Sequence, residues 1–148
     1  MNETSIAGVI ETDRITPADE AAMIALLGAF NRTKVGPEGV RPLGLLLRAS
    51  ADAPIEGGVV GWSWYGWLHI AFVYLPELLR GAGLGRRLLQ RTEAIARERG
   101  CHGIWLDTFS FQARGFYEKL GFSVFGELED YPPGHGRIFL KKRLDGPG

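Results

Sequence analysis

The 148-residue chain has one cysteine, Cys101, and three histidines that stand far apart. A disulfide framework and a cysteine-rich zinc site are both excluded, because each needs several cysteines. We expect Cys101 to be a buried structural residue. His69, His102 and His135 lack the spacing of metal ligands, so no metal is expected.

Excess charge and long apolar runs are also missing. Seventeen basic residues balance seventeen acidic ones, whereas nucleic-acid binders usually carry a basic excess. No apolar run approaches the ~20 residues of a membrane helix, and the N-terminal residues do not resemble a signal peptide. We therefore expect no nucleic-acid partner, no membrane partner and a cytoplasmic location.

The apolar periodicity that is present predicts a single domain of the α/β (α+β) class. Helical periodicity falls on residues 17–32, 84–100 and 112–120. Strand-like runs cover residues 5–11, 43–49, 58–65, 67–74, 103–108, 122–128 and 137–144. Short connections favour antiparallel pairing of the strands at 43–74. The strand–helix–strand unit at 67–108 favours one parallel pair with a right-handed crossover.

A glycine-rich turn joins the strand at 67–74 to the helix at 84–100. Glycines let the backbone approach an anion closely, and the unpaired N–H groups of a helix start point at it. This stretch therefore predicts a phosphate site. Its residues are Arg80, Gly81, Ala82, Gly83, Leu84 and Gly85.

Two common phosphate motifs do not fit this turn. A dinucleotide-binding fold would begin with the turn and carry an acidic residue ~20 positions later, after a second strand. Here several antiparallel strands come first, and Asp107 lies too far along. A P-loop needs Gly-Lys-Ser/Thr, but the chain has Gly85, Arg86 and Arg87.

Two segments together resemble the GNAT superfamily of acetyl-CoA-dependent N-acetyltransferases. Residues 80–85 are similar to its Arg/Gln-x-x-Gly-x-Gly/Ala pyrophosphate motif. Residues 113–122, ARGFYEKLGF, are similar to its Ala-x-x-Phe-Tyr-x-x-x-Gly-Phe segment. The resemblance implies one acyl-CoA N-acyltransferase domain over residues 1–148. Its mostly antiparallel sheet would have one parallel pair splayed to hold coenzyme A, with helices on both faces.

The resemblance also implies which residues bind acetyl-CoA, the cosubstrate. Backbone amides from about Gly81 to Arg86, including those of Ala82, Gly83, Leu84 and Gly85, would bind the pyrophosphate. The backbone of Val73, Tyr74 and Leu75 would pair with the pantetheine arm. Arg80 opens the motif. Ser110 stands where many members have an asparagine that bonds the coenzyme or the splayed strands.

Two catalytic roles follow from the same resemblance. Tyr117 matches the family tyrosine that protonates the departing thiolate, and an ordinary tyrosine pKa of ~10 keeps its hydroxyl protonated at neutral pH. Family members often place a carboxylate base on the strand before the glycine turn. His69 stands there in this chain and suits a base near neutrality, although a half-buried structural role is an equal alternative.

The leading hypothesis is an N-acetyltransferase of a bacterial subgroup, acting by direct attack of a primary amine in a ternary complex. The acceptor is a small-molecule or peptide amine, and a homodimer is compatible with the family. Candidates for the acceptor site in this chain are residues of the acidic loop and three tryptophans: Glu129, Asp130, Tyr131, Trp62, Trp64 and Trp67. A non-catalytic acyl-CoA sensor of the same fold is the alternative. An aminoacyl-tRNA acetylating toxin is disfavoured by the neutral charge.

Overall fold

The computed structural model describes residues 6–37 and 39–145. The chain divides into two compact units, Met1–Glu38 and Gly39–Gly148. One domain over residues 1–148 stays a prediction. Helices and strands follow one another in this order: α1 Pro17–Val35, β1 Arg41–Leu47, β2 Gly57–Trp64, β3 Trp67–Tyr74, α2 Leu84–Glu98, β4 Gly103–Phe109, α3 Arg114–Lys119, β5 Ser123–Glu129 and β6 Gly136–Arg143.

The first unit contains the predicted N-terminal helix, which runs three residues further than expected. Thr16 caps it by a reciprocal pair of bonds with Asp19, so two otherwise unpaired donors are satisfied. The strand predicted over residues 5–11 is wrong for residues 6–11, since Val9 N–H donates to the Ile6 carbonyl across a turn. Gly8 has a φ of +80° in that turn. Ser5 lies outside the described residues.

The second unit is built on a six-stranded sheet in the order β1-β2-β3-β4-β6-β5. Neighbouring strands are antiparallel except for β3 and β4, which are parallel. The predicted mixed sheet with one parallel pair is therefore confirmed. Tyr65 and Gly66, with φ of +49° and +80°, close the β2–β3 hairpin as a two-residue turn.

The core lies on one face of this sheet. Alternate residues of the central strands are buried there, among them Leu68, Ile104 and Leu140. Leu89 of α2 and Tyr117 of α3 belong to the same buried cluster, which places these two helices on that face. Cys101 is buried in this cluster, as expected. Helices on both faces stay a prediction, because α1 belongs to the first unit.

The ends of α2 and α3 differ in detail from the sequence expectation. Arg99, just after α2, donates to the carbonyls of Arg41 and Pro42 and so ties the helix end to β1. The third helix begins at Arg114, two residues late, because the Gln112 side chain accepts from Thr108 and the Phe109 amide. Within residues 6–37 and 39–145, no helix is long and apolar enough to cross a membrane.

Candidate active site

The parallel strands β3 and β4 separate partway along their length. Their pairing runs from Trp67 opposite Gly103 to Ile70 opposite Leu106 and ends there. Beyond this point β3 pairs with β2, and β4 pairs with β6. The two strands therefore form a fork with one free backbone edge on each arm. An extended chain placed between the arms finds unpaired N–H and C=O groups on both sides.

A bulge in β3 at the fork sets which side chains face the core. The register with β2 steps from Ile70 to Phe72, so Ala71 is the extra residue. Before the bulge, Leu68 and Ile70 are buried in the core. After it, Val73 packs on the core while Phe72 is exposed. Even-numbered residues of β3 therefore face the core before the bulge, and odd-numbered residues face it in the open arm.

The glycine turn follows the open arm of β3 and leads into α2. Gly81 and Gly83 have φ of +85° and +81°, a conformation that side chains rarely adopt. Gly83 is the N-cap and has no side chain to satisfy the first amides of the helix. The space where a Cβ would stand is open at both glycines. These amides are therefore available to an anionic ligand.

Arg80 has an internal role in this turn. Its Nε donates to the Leu75 carbonyl at 2.9 Å, and its guanidinium lies 5.8 Å from the ring centre of Tyr74. The side chain therefore holds the turn against the strand end. Arg86 is exposed and lines a cleft between α2 and α3 together with Lys119 and Lys142.

The two sequence motifs meet at Gly85, in the first turn of α2. A Cβ on Gly85 would lie 2.9 Å from Leu75 Cδ1 and 3.3 Å from Phe116 Cζ. The helix start, the end of the strand segment and α3 therefore converge where only glycine fits without movement. This contact sets the glycine turn beside the helix that carries Tyr117.

Tyr117 is buried between two aromatic rings. Phe116 and Phe122 contact it edge to face, with centroids 5.2 and 5.9 Å away. Burial raises the pKa of Tyr117 to about 12. Its hydroxyl is therefore protonated at neutral pH, and it makes no hydrogen bond with any described residue. The group is in the state that a proton donor requires.

Ser110 is engaged within the protein. Its Oγ accepts from the Gly136 amide at 2.9 Å, and its own amide donates to the Gly136 carbonyl at 2.8 Å. The residue thus extends the β4–β6 pairing by one step past the end of β4. Its predicted contact with the coenzyme stays a prediction.

His69 lies on the sheet face opposite the core, because its neighbours Leu68 and Ile70 point inward. Its ring stacks on Trp105 at 3.8 Å and meets Trp62 edge-on at 5.0 Å. Nε2 is enclosed and has no hydrogen-bond partner among the described residues. Burial lowers the pKa of His69 below its ordinary 6.5, and the negative charge of Asp107 partly opposes this.

Asp107 and Arg137 are candidate site residues that the sequence patterns did not indicate. Asp107 is the first residue of β4 past the paired region, and Arg137 donates to it at 2.8 Å. Arg137 also donates to the Tyr131 hydroxyl at 3.0 Å. A charged residue inside the apolar strand run 103–108 was the available signal, because charges are seldom buried without a partner.

The other predicted acceptor residues are only partly brought together. Trp62 contacts His69, but Trp64 instead packs on Tyr65. Trp67 lies beneath the guanidinium of Arg143. Tyr131 and Asp130 line a groove at the end of β4. Glu129 is exposed at the end of β5. No cluster of three or more His, Cys, Asp or Glu suited to a metal occurs within the described part of the chain.

The fork, the glycine turn and the neighbouring tyrosine form the candidate active site, and the comparisons with known proteins show the family. The family model for the acetyltransferase (GNAT) family matches residues 19–122. A crystal structure of an acetyltransferase from Agrobacterium tumefaciens has a TM-score of 0.85 at 33% identity, over 92% of this chain and 98% of that one. The chain belongs to the GNAT acetyltransferase family.

Two further relatives carry more specific names. A blasticidin-S acetyltransferase of Streptomyces morookaense is 44% identical over 91 residues, which is 61% of this chain and 67% of the relative. A crystal structure from Bacillus anthracis, described as a streptothricin acetyltransferase in complex with acetyl coenzyme A, is 26% identical to this chain and has a TM-score of 0.56. That match covers 64% of this chain and 58% of the other.

Proposed function

We propose that this protein transfers the acetyl group of acetyl-CoA to a primary amine by direct attack in a ternary complex. The observation that supports it most is the convergence of Leu75, Gly85 and Phe116, which joins the anion-binding turn to the helix of Tyr117. An anion site beside a protonated, unbonded tyrosine suits a thioester donor that leaves as a thiolate. The relative solved with acetyl coenzyme A supports the choice of donor.

The donor would be held mainly by backbone. The amides of residues 81–86 would bind the pyrophosphate, and the free edge of β3 at Val73 and Tyr74 would pair with the pantetheine arm. Leu75 contributes less, because Arg80 already occupies its carbonyl. The thioester would then enter the fork from the face that carries α2 and α3.

The acceptor would approach from the opposite face, where His69 lies. Neutral His69 would take a proton from the acceptor ammonium, directly or through water, to give the free amine. The nitrogen lone pair would attack the thioester carbonyl carbon, and collapse of the tetrahedral adduct would break the C–S bond. Tyr117 would give its hydroxyl proton to the departing thiolate, and the tyrosinate would regain a proton from the amide nitrogen through water. The products are an amide and a free thiol, and protonated His69 returns its proton to solvent.

A small-molecule acceptor is supported by relatives named for blasticidin S and streptothricin. The test is a panel of primary amines, peptides and aminoglycosides incubated with the protein and acetyl-CoA, with free thiol measured over time. We expect thiol release above the hydrolysis blank with at least one amine, together with an acetylated product by mass spectrometry. Acetyl-CoA binding without release across the panel would contradict the proposal.

Acetyl-CoA binding without thiol release would favour the alternative function, an acyl-CoA-binding sensor of the same fold. One observation supports this alternative: the base position carries His69, whose buried Nε2 has no hydrogen-bond partner among the described residues. A base that cannot reach water or the acceptor would leave binding intact and catalysis absent.

A further inference from the structure

Arg137 holds the carboxylate of Asp107 through one of its oxygens, Oδ1. Nε and Nη2 of Arg137 both lie 2.8 Å from Oδ1. Neither contact involves Oδ2. The side chains of Asp107 and Arg137 are 22% and 31% exposed, so the pair is largely shielded while still open on one side. Because these contacts hold the carboxylate through Oδ1, Oδ2 is the oxygen that a further donor would use.

Aromatic rings line the groove next to this carboxylate. Phe109 and Phe111 stack with centroids 5.2 Å apart and planes 2° apart. Tyr131 lies 5.8 Å from Phe109, tilted by 25°. With Asp130 and Pro132, these rings form an open groove, which we call the aromatic groove.

Asp107 and the aromatic groove are linked by the strand and by Arg137. Residues two apart on a strand face the same side, roughly 6 to 7 Å from each other. Asp107 therefore lies one such step from Phe109, nearer the fork. Arg137 donates to Asp107 and to the Tyr131 hydroxyl at once, so one guanidinium fixes both the carboxylate and a groove wall.

We propose that Oδ2 of Asp107 binds the ammonium group of the acceptor, whose planar ring lies in the aromatic groove. The acceptor class is thus a primary amine with a ring about three bonds from the nitrogen, which roughly spans one two-residue step of the strand. This assignment rests on the proposed function, since Asp107 lies on the same sheet face as His69, where burial lowers the pKa of His69 and the negative charge of Asp107 acts to raise it.

An anionic or purely aliphatic acceptor fits this surface less well. Three of the five N–H donors of Arg137 are directed at Asp107 and Tyr131, and Asp107 balances its charge, so the guanidinium is a weaker site for an anion. Asp130 at the groove adds further negative charge. Aromatic walls favour a planar ring and a nearby cation, because stacking and cation–π contacts both stabilise it.

The test is an NMR titration of the full chain saturated with coenzyme A, so no turnover is read. Three probes are compared: 2-phenylethylamine, n-butylamine without a ring, and 2-phenylethanol without a charge. We expect 2-phenylethylamine to bind roughly tenfold more tightly than either, because only it makes both contacts. Equal affinity for 2-phenylethylamine and n-butylamine, or no binding of 2-phenylethylamine, overturns the proposal.

Variants separate the two contacts. Asp107→Asn should weaken 2-phenylethylamine roughly tenfold and leave 2-phenylethanol unchanged. Phe111→Ala should weaken both ring-bearing probes and spare n-butylamine; its side chain is 57% exposed, so the fold is not at risk. Asp52→Asn, in the exposed β1–β2 turn, is the matched control. Unchanged binding in Asp107→Asn overturns the assignment, whereas absent thiol release in the amine panel would refute only the transfer reaction.

Discussion

The two sides of the fork are built in different ways. On the helix side, two continuous segments, residues 80–86 and 113–122, supply the glycine turn and Tyr117. On the opposite side, His69, Asp107, Arg137 and Tyr131 come from three strands and a loop. The helix side offers mostly backbone groups, whereas the opposite side offers side chains.

This difference corresponds to two kinds of ligand. A donor shared by a whole family can be held by backbone amides, whose positions depend on glycine conformation and tight packing at Gly85. An acceptor that differs between members must be recognised by side chains, which change without altering the fold. The following substitutions test whether the two sides are separable in this way.

Replacing Tyr117 with phenylalanine should have the largest effect. The change removes a proton donor and keeps the ring packed between Phe116 and Phe122, so kcat should fall by roughly two to four powers of ten. The Kd for acetyl-CoA should stay within about twofold. Steady-state kinetics and calorimetry measure the two quantities, with Tyr65→Phe as the control. An unchanged kcat would remove Tyr117 from the mechanism.

Gly83→Val should act on binding. Valine at a φ of +81° is strained by about 1–3 kcal/mol, and its side chain would enter the open space in front of the helix amides. The Kd for acetyl-CoA should therefore rise by about a hundredfold, as read by calorimetry. Gly126→Val, on an open part of β5 without positive φ, should leave it unchanged. Normal affinity in Gly83→Val would contradict an anion site at this turn.

His69→Gln tests the opposite side and should lower kcat by roughly tenfold or more. A base must be neutral, so activity should rise as pH increases through a pKa that burial sets below 6.5, and this limb should vanish in the variant. Asp107→Asn removes the charge that opposes the shift, so the limb should move to lower pH. His102→Gln is the control. A limb that persists in His69→Gln would assign it to another group.

The same lowered pKa has a consequence for stability. A histidine whose folded pKa lies below its unfolded value contributes stability above about pH 6.5 that is lost as pH falls through the folded pKa. Acidification from pH 7 to 5 should therefore reduce the free energy of unfolding less in His69→Gln than in the wild type. Urea denaturation at several pH values measures the difference.

Sequence patterns predicted the secondary structure and the parallel strand pair of the helix side because that information is local. The glycine turn, the parallel crossover and the segment around Tyr117 each lie in one continuous stretch. The opposite side could not be predicted in this way because it depends on the register of the strands. Only the pairing of β4 with β6 brings Asp107 near Arg137, 30 positions away. The strand expected at residues 5–11 failed because weak alternation there is interrupted by the turn at Gly8.

For Ser110, the family resemblance and the structure indicate different roles. Its substitution should have the smallest effect of those considered. By resemblance it contacts the coenzyme, yet its hydroxyl accepts from the Gly136 amide, a half-buried bond across β4 and β6. Ser110→Ala leaves that amide unpaired and should lower the free energy of unfolding by about 1 kcal/mol. Acetyl-CoA affinity should change less than threefold, because the lost contact is internal. A larger loss of affinity with unchanged stability would place Ser110 on the coenzyme side of the fork.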